Sequence, residues 1–172
     1  MKRAWTAALA ACLLSAAPGQ VAATEGETEF WAGPGVALDG TTFLVGAEVG
    51  WLKHVTDFWN VGATLRDRRR PLRPSDGRTH ATVDVRYVVD ALTWIPGATL
   101  GLGLTADSTG KRFEMRPCGR AELALGYRAH RTWGLALRPG ADLAWTGAGL
   151  TPVWTVSVAW VWYRGQGIGL DL

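Results

Sequence analysis

The 172-residue chain holds three histidines, His54, His80 and His130, and, beyond residue 23, three serines, Ser75, Ser108 and Ser157. Ser75 and His80 lie near enough in sequence to suggest nucleophile activation. A spacing of five residues across a polar stretch enforces no geometry, however. An activated serine needs hydrogen-bond reach to its base and a third group to orient that base. No spacing of His, Cys, Asp or Glu resembles a metal site, and no glycine-rich phosphate loop occurs. Catalysis is therefore weakly supported, and neither a catalytic residue nor a cofactor is expected. Two sets of charges offer other chemistry. Glu48, Asp84, Glu122 and Asp142 can face Arg86, Arg120, Arg128 and Arg138, four charges of each sign. The segment RDRRRPLRPSDGR sets six arginines, Arg66, Arg68, Arg69, Arg70, Arg73 and Arg78, against two aspartates, and Lys111, Arg112 and Arg116 follow downstream. Guanidinium forks match phosphate geometry, so the first set suggests ion pairing and the second an anion contact.

The elements that position these groups follow from hydrophobic periodicity. Phe43, Val45, Ala47, Val49 and Trp51 alternate with residues of smaller or polar type. The same period of two recurs over Trp59–Leu65, Ala81–Val89, Ala98–Leu104, Ala121–Tyr127, Trp133–Trp145 and Trp154–Trp162. Alternation over such lengths reads as strands with one apolar face. A weaker strand at about Glu29–Leu38 completes eight; its Pro34 removes one ladder donor. The charged set above falls on the face opposite the apolar one.

The N-terminus reads as an address. Lys2 and Arg3 precede an apolar stretch from Ala4 to Ala17, and Val21-Ala22-Ala23 ends in small residues that a signal peptidase accepts. Cleavage after Ala23 leaves residues 24–172 as one domain of 149 residues with 16 basic and 15 acidic side chains. Lipidation at Cys12, within Leu9-Ala10-Ala11-Cys12, is the alternative reading. Cys118 is then the single thiol of the mature chain, and no intramolecular disulfide can form. With 48% hydrophobic residues and only 19% charged, the chain is neither disordered nor typical of a highly solvated enzyme.

Eight strands in 149 residues match the smallest closed membrane barrels, whose tilted strands need about 9 to 11 residues to cross. With both termini periplasmic, the two longest joins, Arg66 to Arg78 and Ala106 to Cys118, are expected as outer loops, and Ala129–Thr132 as an inner turn. Cys118 is expected at the base of an outer loop. The aromatic residues sort by height. Trp51, Trp59, Tyr87, Tyr127, Trp133 and Trp162 fall at the periplasmic ends, and Phe43, Trp145 and Trp154 at the outer ends. Such girdles form where amphipathic rings sit at headgroup level, and a soluble core gives no reason for them. A soluble barrel or sandwich with the apolar face inward is the alternative that periodicity alone leaves open.

In strand number, girdles and loop asymmetry, Glu29 to Tyr163 resembles the small outer-membrane β-barrels typified by the OmpA transmembrane domain and OmpX. The chain ends Ile168-Gly169-Leu170-Asp171-Leu172 rather than in the aromatic residue usual in that family, so residues 164–172 read as a short tail. The resemblance implies an all-β, eight-stranded, antiparallel up-and-down barrel in the outer membrane of a Gram-negative bacterium. An eight-stranded interior is just wide enough to be filled by side chains. Balanced charges inside then imply a plugged lumen and a non-enzymatic structural, adhesive or envelope-assembly role, for example beside secretion or surface-motility machinery. Lipid and lipopolysaccharide are the expected partners, with envelope proteins besides and no nucleic acid. A narrow solute channel is the first alternative. The second is a lipid A-modifying enzyme, since some barrels of this kind use Ser and His near the outer rim.

Overall fold

The computed structural model describes residues 27–89, 93–110, 112–146 and 149–165. Eight strands follow one another: β1 Thr28–Asp39, β2 Thr42–His54, β3 Trp59–Arg70, β4 Arg73–Val88, β5 Trp94–Thr109, β6 Arg112–His130, β7 Trp133–Thr146 and β8 Gly149–Arg164. Each pairs antiparallel with the next, and β8 returns to β1, so the sheet closes into a barrel without a free edge. The proposed signal segment, Cys12 and residues 166–172 lie outside the described residues.

The registers fix the shape of the wall. Stepping between partners, Thr28 leads to Lys53, Val61, Val85, Leu100, Ala121, Ala141 and Trp154, which pairs back onto β1 at Leu38. The circuit closes ten residues along β1, from Thr28 to Leu38. A slip of ten residues around eight strands tilts them by about 40° and gives each residue about 2.5 Å of height along the barrel axis. Pro34 is accommodated because the β1–β8 pairing is interrupted, in unchanged register, between Ala32–Trp160 and Gly35–Ser157, so its missing N–H breaks no pair there.

The alternation seen in the sequence is the alternation of the wall. Val83, Leu100, Leu102, Leu123, Leu137, Val158 and their like point outward and are exposed. Glu48, Thr64, Asp84, Arg120, Glu122 and Arg138 point inward and are buried. An apolar exterior around a charged interior inverts the soluble arrangement and is the organisation of a membrane barrel.

Two expectations fail at the outer end. Arg66 to Arg78 and Ala106 to Cys118 are not loops. The β3–β4 ladder continues through Arg66–His80 to Arg69–Gly77, and the β5–β6 ladder runs from Gly103–Cys118 up to Thr109–Arg112. Only short turns remain above them. At one, Gly110 takes a φ of +58°, which a side chain would strain. Cys118 therefore lies within β6, with its side chain buried, rather than at the base of a loop.

Candidate functional site: a salt-bridged lumen and a charged outer rim

Period two carries Glu48 on β2, Arg66 and Arg68 on β3, Asp84 on β4, Arg120 and Glu122 on β6, and Arg138 and Asp142 on β7 to the barrel centre. Arg66 is the hub. Its Nε donates to Glu48 Oε2 at 2.9 Å, its Nη1 to Asp142 Oδ1 at 2.8 Å, and its Nη2 to Glu122. One guanidinium thus ties three other strands together across the lumen. Arg138 donates through Nε to Glu122 Oε1 at 2.8 Å, and Arg120 through Nη1 to Asp84 Oδ2 at 2.8 Å. Thr64 completes this corner by donating to Asp84 and accepting from Arg120. Arg68 donates to the Ala47 carbonyl at 3.0 Å and, weakly, to Glu48 at 3.5 Å.

Four guanidinium groups, Arg66, Arg68, Arg120 and Arg138, here face four carboxylates, Glu48, Asp84, Glu122 and Asp142, all nearly inaccessible to solvent. Burying one such ion unpaired costs several kcal/mol, on the order of what its partners return, so balance of sign is what makes the cluster tolerable. Below it, Arg86 Nη1 holds Glu29 Oε1 at 2.6 Å. At the inner mouth, Arg128 Nη2 meets Glu27 Oε2 at 3.2 Å, and its guanidinium lies 4.0 Å over the Tyr163 ring. Trp31 fills the remaining width. The Arg138 guanidinium lies 4.0 Å from its ring centre, while a Cβ on Gly50 would come within 2.2 Å of the same ring. Only glycine leaves that space.

The structure thus gathers Glu48, Asp84, Arg120, Glu122, Arg138 and Asp142, and places Arg86 and Arg128 in separate pairs lower down. It corrects the expectation for Arg66 and Arg68. Expected on an extracellular loop touching anions, both are buried inside, because even-numbered positions of β3 face the lumen. Arg66, Arg68, Glu29 and Trp31 are the interior members that the sequence reading missed. The signal was present: Asn60, Gly62 and Thr64 already set the inward phase that Arg66 and Arg68 continue.

The other arginines of that segment do lie at the outer end. Arg69 faces outward and forks onto Asp67 at 2.8–2.9 Å, with Thr79 Oγ1 donating to the same carboxylate at 2.6 Å. Arg70 stands 4.0 Å from Asp76, and Arg73 is exposed near the hairpin tip. Arg78 lies in the mouth, 3.2 Å from Asp39 and also bound to Asp107. Arg116 joins Asp107 at 3.7 Å and Glu114. Arg70, Arg78 and Arg116, with Arg112, line a polar cup of about 380 Å³ in which Asp39, Asp76, Asp107 and Glu114 balance them.

Ser75 and His80 cannot act together. Ser75 is exposed in the irregular stretch near the outer end of β4, whereas His80 is buried in the lumen. Ser75 Oγ instead bonds Asp76 at 3.3 Å, and His80 is buried with Nε2 3.8 Å from Asp142. His54 stands 3.5 Å from Asn60 at the inner mouth, and His130 meets Thr132 in the turn after β6. Among the described residues no group of three or more His, Cys, Asp and Glu is placed to hold a metal ion.

The aromatic side chains form two belts on the outer wall. Trp51, Trp59, Tyr87, Tyr127, Trp133 and Trp162 ring the inner end, joined by Trp94 and Trp160, and ring pairs such as Trp59–Tyr87 and Trp94–Tyr127 meet at 5.2 and 5.1 Å. Trp145 and Trp154 stand exposed toward the outer end with Phe43.

No protein-family model and no curated protein sequence matches the chain. Solved structures do match it in fold. The attachment invasion locus protein Ail of Yersinia pestis aligns at a TM-score of 0.58 and 15% identity, over 82% of this chain and 100% of Ail. A second structure of Ail, in complex with the heparin analogue sucrose octasulfate, aligns at 0.58 and 13%, over 82% and 100%. The N-terminal β-barrel domain of Pseudomonas aeruginosa OprF aligns at 0.59 and 11%, over 81% of this chain and 98% of that domain. The chain has the closed, eight-stranded fold that these small outer-membrane barrels share.

Proposed function

We propose that the chain is an integral outer-membrane barrel of a Gram-negative bacterium, delivered by residues 1–23 as a cleaved signal peptide. It is non-enzymatic, and it works as a structural or adhesive envelope component through its outer end. The observation that carries this reading is the hub at Arg66, bound at once to Glu48, Glu122 and Asp142 from three other strands. A guanidinium so held is a neutralised plug at the middle of a lumen that side chains of this width fill, which favours a closed barrel over a solute filter. Function then belongs to the exterior. There the exposed Arg73, the cup arginine Arg112 and the Arg69–Asp67 fork offer contacts to lipopolysaccharide phosphates or to acidic surface polymers. The sulfated ligand held by Ail, a protein of the same fold, gives that anion reading a precedent.

Planar-bilayer recording of the refolded protein tests the reading. A silent membrane is the expected result, and stable unit conductance steps refute the plugged lumen in favour of a narrow channel. Heat-modifiable gel migration of the protein from an outer-membrane fraction tests the location.

A further inference from the structure

The outward apolar face is not equally tall around the barrel. On β3 it comprises Trp59, Val61, Ala63 and Leu65, after which the outward positions are Asp67 and Arg69. On β4 it runs over four outward positions, from Tyr87 up to Ala81, and the next is Thr79. On β7 it runs over seven outward positions, from Trp133 to Trp145, and on β8 over seven more, from Trp162 to Leu150. At about 2.5 Å of height per residue the apolar wall is about 15 Å tall on β3 and β4 and about 30 Å on β7, against about 25 Å for the usual lipid-facing band. The lower edges are nearly level, because Trp59, Tyr87, Trp133 and Trp162 all stand at the inner belt. Most of the difference lies at the outer edge.

Asp67 and Arg69 are therefore placed where the rest of the wall is still apolar. Tracing the tilt through the registers, Thr79, Leu104 and Leu143 lie at one height to within about 2 Å, and Asp67 lies about 7 Å below Trp145. The Asp67 and Arg69 side chains are 47% and 39% accessible on that face, so they are not hidden by the wall. Thr79 and Ser108 hydroxyls complete a polar patch around them, with Thr79 bonded to Asp67 and Ser108 to Arg69. A charged fork and two hydroxyls need water or headgroups as neighbours, and hydrocarbon supplies neither.

We propose that the β3–β4 face thins the outer leaflet locally, drawing a lipid headgroup down to the Asp67–Arg69–Thr79 patch with its phosphate beside Arg69 and the exposed Arg73. The inference goes beyond the function proposed above but rests on its membrane orientation. It makes the barrel asymmetric in the plane of the membrane, with one side that seats lipid high and one that seats it low.

Nitroxide labels at equal heights test it. In mature protein with Cys118 replaced by alanine and refolded into vesicles of phosphatidylcholine with phosphatidylglycerol, Thr79→Cys and Leu143→Cys each carry one label. Collision with a water-soluble nickel chelate relative to oxygen is expected to be several-fold higher at position 79 than at 143, and the label at 79 to broaden the lipid phosphorus resonance more strongly. The combined change Asp67→Leu with Arg69→Leu is expected to bring the label at 79 toward the value at 143. Equal accessibilities at 79 and 143, both within hydrocarbon, overturn the thinning while leaving the membrane orientation intact. A water-accessible label at 143 overturns the orientation itself. Nickel access at 79 without phosphorus broadening means a water-filled notch, and overturns headgroup capture.

Discussion

Replacing Arg66 with methionine keeps most of the side-chain length and removes the charge on which Glu48, Glu122 and Asp142 converge. The central cluster then holds Arg68, Arg120 and Arg138 against four carboxylates, leaving one buried negative charge without compensation. Breaking a buried pair from one side costs about 3–5 kcal/mol, two to more than three decades in the folding equilibrium. Urea unfolding in lipid vesicles, followed by tryptophan emission, measures it. The diagnostic comparison is Arg66→Met combined with Asp142→Asn. Removing a carboxylate restores the balance of sign, so the double variant is expected to regain at least about half of the lost stability, a coupling well above the few tenths of a kcal/mol seen for independent sites. If Arg66→Met costs less than about 1 kcal/mol, or the two changes simply add, the lumen is not held together by mutual neutralisation and the hub argument fails.

Trp31→Ala removes a ring packed between Gly50 and the Arg138 guanidinium and is expected to cost about 3–5 kcal/mol in the same assay, while Gly50→Ala, which drives a methyl into that ring, is expected to cost about 1–3. On the outer wall, Val83→Arg places a charge near the middle of the band and is expected to cost about 2–4 kcal/mol, whereas Thr79→Arg, at the polar patch, is expected to cost no more than about 1. Ser75→Ala and His80→Ala are expected to leave lipid A acylation unchanged by mass spectrometry, since Ser75 is exposed at the outer end while His80 is buried beside Asp142 in the lumen. Arg73→Ala is expected to weaken binding of a sulfated oligosaccharide several-fold and to lower its salt dependence by about one ion, with Arg78→Ala reducing stability instead.

How far the barrel could be read from sequence depended on which face stayed apolar. Where the wall meets hydrocarbon, as at Leu123, Leu125 and Tyr127 against Glu122, Ala124 and Gly126, period two shows plainly and the inward charges follow from it. Above the membrane both faces of a strand meet polar surroundings, and the contrast that carries the period disappears. On β3 the inward Arg66 and Arg68 alternate with the outward Asp67 and Arg69, and the result has the composition of a loop. Pro71 and Pro74 strengthen that impression, although Pro71 sits in the turn and Pro74 in the irregular stretch of β4 between the Arg70–Arg73 and Arg69–Gly77 pairs, where no ladder bond needs its N–H. The same loss of contrast hid the pairing of Asp107 and Ser108 with Glu114 and Phe113. Trp31 was invisible for another reason. A tryptophan inside a narrow lumen needs a glycine opposite it, and the pairing of Trp31 with Gly50 is a property of register, which no single strand contains.

The distribution of arginines decides what the outer end can recognise. Of the six between Arg66 and Arg78, two are committed to the lumen, Arg69 forks onto Asp67, Arg70 stands near Asp76, and Arg78 joins Asp39 to Asp107. The cup these last groups help to line carries as many carboxylates as guanidinium groups, so it attracts neither anions nor cations over distance. A long-range basic field, which the bare sequence suggests, is therefore replaced by short-range geometry: forks already oriented by their own carboxylates, able to accept a phosphate or sulfate oxygen only at contact. Recognition of that kind depends on where lipid and polymer are held relative to the wall. The low outer edge on β3 and β4 brings headgroups to the side of the barrel that carries the Arg69–Asp67 fork.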